Sequence, residues 1–287
     1  MLANYHTHTT LCDGKNTPAE MAAAAYRKGF AALGFSGHMD PNVHMDWKAY
    51  CDRILALKNA YAGKLDILLG VELDQFWPQD TVPGAEYVIG STHFIPLPDG
   101  ELGCVDHTVD EARRVCRDYF GGDWYRMAAA YYEAEAQVWE KTHCDIIGHF
   151  DLVTRFNHEY PSFDETDPRY LRPAMDALDV LARTGAVFEI NCGAYNRGRR
   201  KDFYPARPLL KRLQELNAPV CLSSDAHSAS LLDGGFEAAR FALQSCGFHE
   251  ITVWKGLFPQ KPAFLGRDHG HGGLSRTVLP VHQAGFP

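Results

Sequence analysis

The sequence predicts an α/β fold, a parallel barrel of seven or eight strands with helices on its outside. Three observations predict it. Apolar strand-like runs alternate with helical stretches along most of the 287 residues, and regular β-α alternation builds a parallel sheet. The strand runs are short and apolar throughout, as strands covered on both faces must be. Histidines and carboxylates recur just after one strand after another, and a barrel gathers such positions on a single rim.

The elements follow in order. Leu2 to Tyr5 reads as the first strand. In Thr17-Pro18-Ala19-Glu20, Thr is an N-cap, Pro takes the first helical position and Glu closes a capping box; alanines continue the helix and Gly29 stops it. Ala31–Phe35 is a strand, Trp47–Tyr61 a helix ended by Gly63, and Asp66–Leu73 a strand that carries Glu72. Tyr87–Ser91 is a strand, 108–120 and 123–141 are helices, and Asp145–Gly148 is a buried strand ending at His149. Helix Pro168–Arg183, strand Ala186–Asn191, helix Pro208–Leu216, strand Pro219–Ser224, helix Phe236–Ser245 and a last strand Ile251–Trp254 complete the series. Residues 1–265 read as one domain, and 266–287, rich in Gly and polar residues, as a mobile tail outside the core.

Composition narrows the function. A formal net charge of −8 argues against non-specific nucleic-acid binding, which needs a basic surface. No apolar run approaches the roughly 20 residues of a membrane helix, and the start of the chain lacks signal-peptide character. The eight cysteines are scattered with no C-x-x-C pair, so reduced thiols in a cytoplasmic protein are the expected state.

The ligand-type residues carry the chemistry. His6 and His8 follow the first strand at i, i+2 spacing, which puts both imidazoles on one side of an extended segment. Asp13 sits in the loop beyond them. His38 follows the second strand, Glu72 lies near the end of the third, and His93 and His149 follow the fourth and fifth. Glu189 and Asn191 close the sixth, and Asp225 and His227 follow the seventh, again at i, i+2. A single histidine at a strand end is ordinary; repetition around the barrel points to a metal centre. His44, His107, His143, His158, His249 and His282 follow no such pattern and read as solvated or structural, and His269-Gly270-His271 as incidental.

These residues resemble the PHP (polymerase and histidinol phosphatase) superfamily of metal-dependent phosphoesterases. His6-Thr7-His8 with Asp13-Gly14 is similar to its first motif, and Gly37-His38, Gly70-Val71-Glu72, Ser91-Thr92-His93, Gly148-His149 and Ser224-Asp225-Ala226-His227 are similar to the later ones in order. Within it the chain looks most like the monofunctional histidinol-phosphatases of histidine biosynthesis, through Ile147-Gly148-His149-Phe150-Asp151-Leu152, Arg155-Phe156, Glu189-Ile190-Asn191 and Ser228 after His227. The resemblance implies a distorted (β/α)7 barrel with two or three divalent metals. It implies His6, His8, Glu72 and Asp225 on one metal, Asp13, His38 and His227 on a second, and His93, His149 and a bridging Glu72 on a third.

Mixed imidazole and carboxylate ligands suit Zn, Mn or Fe. The expected reaction is hydrolysis of a small phosphomonoester by a hydroxide bridging the metals, with Glu72, Asp225 and His227 at the catalytic centre. Arg155 and Arg197 follow strands five and six and are the expected phosphate donors, although Arg199 and Arg200 stand beside Arg197. Asp74, Phe76, Trp77, Asp151 and Glu189 are the residues expected to meet the substrate's amine and imidazole. The rival readings are a phosphoesterase for another small phosphoester, a metal-dependent amidohydrolase and a non-catalytic metal-binding protein. Strands three and four end without the lysine that amidohydrolases often carry.

Overall fold

A computed structural model describes residues 1–256 and 274–281. The local signals act as their chemistry dictates. The Thr17 side chain accepts from Glu20 N–H while the Glu20 carboxylate accepts from Thr17 N–H, a reciprocal cap for the helix Pro18–Arg27. Asp46, Thr108, Asp123 and Asp167 cap the helices Trp47–Ala60, Val109–Phe120, Trp124–Glu135 and Pro168–Ala182 with side chains that accept from the first turn. Helices Arg207–Glu215 and Phe236–Ser245 complete the outer layer.

In chain order the strands are β1 (Leu2–Asn4), β2 (Phe30–Phe35), β3 (His38–Met39), β4 (Asp66–Asp74), β5 (Tyr87–Ser91) and β6 (Phe94–Pro96). They continue with β7 (Leu102–Cys104), β8 (Ile146–Ile147), β9 (Val187–Asn191), β10 (Val220–Ser223), β11 (Glu250–Gly256) and β12 (Leu274–Pro280). Seven of them run parallel in the order β1-β2-β4-β5-β8-β9-β10, with the short β3 on the end of β4. The path closes through a parallel bridge between Thr7 and Ala226: His8 N–H donates to the Ala226 carbonyl at 3.0 Å, and Ala226 N–H to the His6 carbonyl at 3.2 Å. This is the distorted seven-stranded barrel that the family resemblance implies.

Alternate residues of a strand face the interior. Near the strand N-termini these are apolar: Ala3, Tyr5, Ala32, Leu68, Tyr87, Ile89, Ile146, Val187 and Cys221 pack into one cluster. Further along the same strands the inward positions turn polar, to Glu72, Ser91, Glu189 and Ser223, all buried. The barrel therefore has an apolar plug at one end and a polar floor at the other. Tyr87 spans the plug because its neighbours lack side chains: a Cβ on Gly70 would sit 2.1 Å from its ring.

Three features depart from expectation. The strand expected at 251–254 is not a barrel strand. β11 pairs antiparallel with β12 and sends Trp254 into the apolar plug, where its ring meets Tyr5 edge-on at 4.9 Å and its backbone N–H donates to the Tyr5 hydroxyl at 2.8 Å. Within the segment expected as a tail, residues 274–280 thus form a strand and Val281 is buried, while His269, His271 and His282 lie outside the described residues. The helix expected over 123–141 divides into Trp124–Glu135 and Val138–Thr142, and at the break the Gln137 side chain donates to the Glu133 carbonyl at 3.0 Å.

Candidate metal centre

The polar end of the barrel carries every residue of the expected ligand set. Asn4, at the end of β1, organises the seam: its amide donates to the Ser224 hydroxyl at 2.6 Å, and its carbonyl oxygen accepts from His6 N–H at 3.1 Å. The two i, i+2 pairs, His6/His8 and Asp225/His227, are thereby laid side by side, and the rings of His8 and His227 stack at 4.2 Å. Asp225 itself adopts a left-handed backbone, φ 46°, a conformation that costs a non-glycine residue energy and is concentrated at functional sites. Gly193 allows the close approach beside it, since a Cβ there would sit 2.7 Å from the Asp225 carboxylate and 2.9 Å from Arg197.

Glu72 stands at the centre. Its Oε1 lies 2.7 Å from His149 Nε2 and 3.2 Å from His93 Nε2. Its Oε2 lies 2.9 Å from His38 Nδ1, 3.1 Å from His6 Nε2 and 3.5 Å from His8 Nε2. Asp225 Oδ1 adds contacts of 3.3 Å to His8 and 3.8 Å to His6. On the outer side, Asp13 approaches His227 at 3.0 Å, His8 at 3.4 Å and His38 at 3.7 Å. Four overlapping groups result, each with ligand atoms within 4.8 Å of one another: His8-Asp13-His38-His227, His6-His8-Asp225, His6-Glu72-His149 and His38-Glu72-His93.

This donor set fits divalent cations. His6 Nε2, His8 Nε2, His38 Nδ1 and Glu72 Oε2 are buried and have no hydrogen-bond partner among the described residues, although they point at one another. Buried polar atoms are nearly always satisfied, so a cluster of orphans on one spot is what a ligand site looks like. Behind it, Glu189 Oε2 lies 2.9 Å from His6 Nδ1, which leaves Nε2 free to ligate. Glu189 also accepts from His149 N–H and the Ser223 hydroxyl. Asp74 backs His93 at 3.2 Å in the same manner. The charges agree: burial would raise the Glu72 carboxyl, but His38, His6 and His93 outweigh it and hold it well below the glutamate range. Asp225, likewise buried, is held low by Arg197 first and then His6. His8 is the exception, pushed down to about 3 by burial and by His227 and His38. It is the imidazole most easily kept neutral, the form that binds metal.

A cavity of about 400 Å³ opens above these residues. Arg155 and Arg197 line it. Arg197 donates to the Asp225 backbone carbonyl at 3.1 Å and carboxylate at 3.3 Å, and Arg155 to Asp106 at 3.1 Å. Both leave a buried Nε without a partner among the described residues. Structure separates the three neighbouring arginines: Arg199 is exposed at the rim, whereas Arg200 is buried and donates to Thr154 and Glu165. The expected amine-binding residues do not line the cavity. Asp74, Asp151 and Glu189 are buried within the protein, Phe76 lies under Lys141, and Trp77 stacks on His44. Asp40 and Asp106 line it instead, and Tyr204 with them. These three were missed in the sequence: Asp40 and Asp106 follow the short strands β3 and β7, which were not expected, and Tyr204 is joined to the end of β9 only by an isolated bridge to Asn191. His107, set aside in the sequence, is an exposed residue of the cavity mouth.

The PHP domain family model matches residues 4–193. Over 269 residues the chain is 33% identical to a Deinococcus radiodurans protein described as "Probable histidinol-phosphatase", covering 88% of this chain and 96% of the relative. It is 26% identical to the histidinol-phosphatase of Bacillus subtilis, over 81% of this chain and 96% of that one. The fold is similar to that of a Lactococcus lactis histidinol phosphate phosphatase solved with Zn, L-histidinol and phosphate, at a TM-score of 0.69 and 21% identity, covering 88% of this chain and 96% of the other. The family match and the near end-to-end alignment agree with the barrel and its histidine-lined rim, and the chain belongs to the PHP domain family.

Proposed function

We propose that this chain is a metal-dependent phosphomonoesterase that hydrolyses L-histidinol phosphate to L-histidinol and phosphate, as a step of histidine biosynthesis. One observation carries the reaction class: His38 and Glu72, from the cluster of orphaned ligand atoms, line one cavity with two arginines whose Nε donors have no partner among the described residues. The curated relatives carry the substrate.

Two or three divalent ions, Zn, Mn or Fe, would be held by His6, His8, Asp13, His38, Glu72, His93, His149, Asp225 and His227; when bound, they supply Lewis acidity and activate water near neutral pH. The chain's own groups do the rest. Arg155 and Arg197 bind the phosphoryl oxygens through donors left free by their carboxylate partners. Asp225 couples the two halves of the site, because the same carboxylate lies against His8 and Arg197. Glu72, Asp225 and His227 are the catalytic set in this reading, and Glu72 bridges the ligand groups. Asp40 and Asp106 place carboxylates on the wall that a cationic amino alcohol would meet.

The test is phosphate release from L-histidinol phosphate by the purified protein with added manganese, against a chelated control and a generic aryl phosphate. Chelator-sensitive release, clearly faster than from the aryl ester, is expected. Activity confined to other phosphoesters would keep the reaction and discard the substrate.

A further inference from the structure

Tyr204 has no place in the ligand set or among the arginines, yet its position is built with care. It follows the helical turn after β9, and its backbone is clamped to the end of that strand. Asn191 N–H donates to the Tyr204 carbonyl at 2.8 Å, and Tyr204 N–H to the Asn191 carbonyl at 3.1 Å. Its ring packs under the Arg200 guanidinium at 5.0 Å and lies edge-on to His149, centroids 6.5 Å apart. Arg200 in turn is held by hydrogen bonds to Thr154 and Glu165. The residue is 2% exposed and lines the substrate cavity. Its hydroxyl nonetheless has no hydrogen-bond partner among the described residues.

A buried tyrosine hydroxyl usually finds a partner, and one left without it costs stability. An orphan of this kind inside a binding cavity is a donor awaiting a ligand. The surroundings point to the ligand: Tyr204 lines the same cavity as Arg155 and Arg197, and its ring lies against the Arg200 guanidinium. We propose that Tyr204 is a further substrate-contacting residue, its hydroxyl donating a hydrogen bond to the phosphoryl group gripped by Arg155 and Arg197. This rests on the phosphomonoesterase reading above.

The test is Tyr204→Phe in the full chain loaded with manganese, with inorganic phosphate as the probe and calorimetry as the readout. No turnover is required, so a wrong substrate assignment would leave the test intact. Phosphate affinity is expected to fall about tenfold, the equivalent of one hydrogen bond to a charged group. Metal content should be unchanged. The melting temperature should hold or rise, because the removed hydroxyl has no partner among the described residues. Unchanged phosphate affinity would overturn the proposal. So would a fall in melting temperature as large as that of a lost core contact, which would make the hydroxyl structural. A rate loss confined to alkyl phosphates with phosphate affinity intact would also overturn it, by moving the hydroxyl to the leaving group.

Discussion

Glu72 and His149 meet at 2.7 Å, Oε1 to Nε2, although 77 residues and the whole of β5 separate them in the chain. The contact uses one carboxylate oxygen and leaves the other for His38, His6 and His8, so Glu72 joins two groups of ligands through a single side chain. Glu72→Gln keeps the shape but replaces one oxygen by an N–H donor and removes the charge. Phosphatase activity should drop about 100-fold or more, with lower metal content by elemental analysis and an unchanged far-UV circular dichroism spectrum. A variant with near-native activity would remove Glu72 from the centre.

Arg197 and Arg199 provide a matched pair. Arg197 reaches Asp225 inside the cavity, whereas Arg199 is exposed at its rim. Arg197→Ala should raise KM for the phosphoester about 10- to 100-fold, and Arg199→Ala should change it little. Steady-state kinetics on both variants checks this. Equal effects would place the phosphate elsewhere.

Glu135 sets a pH dependence of stability. Burial holds its carboxyl well above the ordinary value of 4.5, against a smaller opposite pull from the Thr92 hydroxyl. A folded-state value above the unfolded one means that the native state binds the proton more tightly. The stability contributed is therefore complete below about pH 4.5 and is lost as pH rises toward the folded value. Glu135→Gln removes the ionisation, so the melting temperature of the variant should gain on the wild type between about pH 5 and pH 8. Thermal melts of both proteins in chelator, at those two values, measure it. A constant gap would mean that Glu135 titrates normally.

Much of the molecule was legible in the residues. Capping signals such as Thr17-Pro18-Ala19-Glu20 and Gly stops are local chemistry, and the helices begin and end close to where they say. Ligand-type residues at successive strand ends needed only the rule that parallel barrels share one C-terminal rim. The role of β11 was not legible, because an apolar run has the same period whether it closes a barrel or plugs one. Trp254 entering beneath Tyr5 depends on space left by neighbouring strands. The division of labour among Arg197, Arg199 and Arg200 was hidden for a similar reason: adjacent residues of one type differ only in where a loop turns them.

The sequence by itself determined the fold class and the ligand-type residues that gather on the rim, since these follow from periodicity and spacing along one chain; the family came from the resemblance of its motifs. Tertiary structure alone decided which oxygen of Glu72 faces which histidine, that Glu189 lies behind His6, and that Tyr204 lines the same cavity as Arg155 and Arg197. The physical reason is distance. Backbone periodicity acts over a few residues, whereas desolvation, orphaned donors and charge pairing are properties of groups brought together from remote parts of the chain.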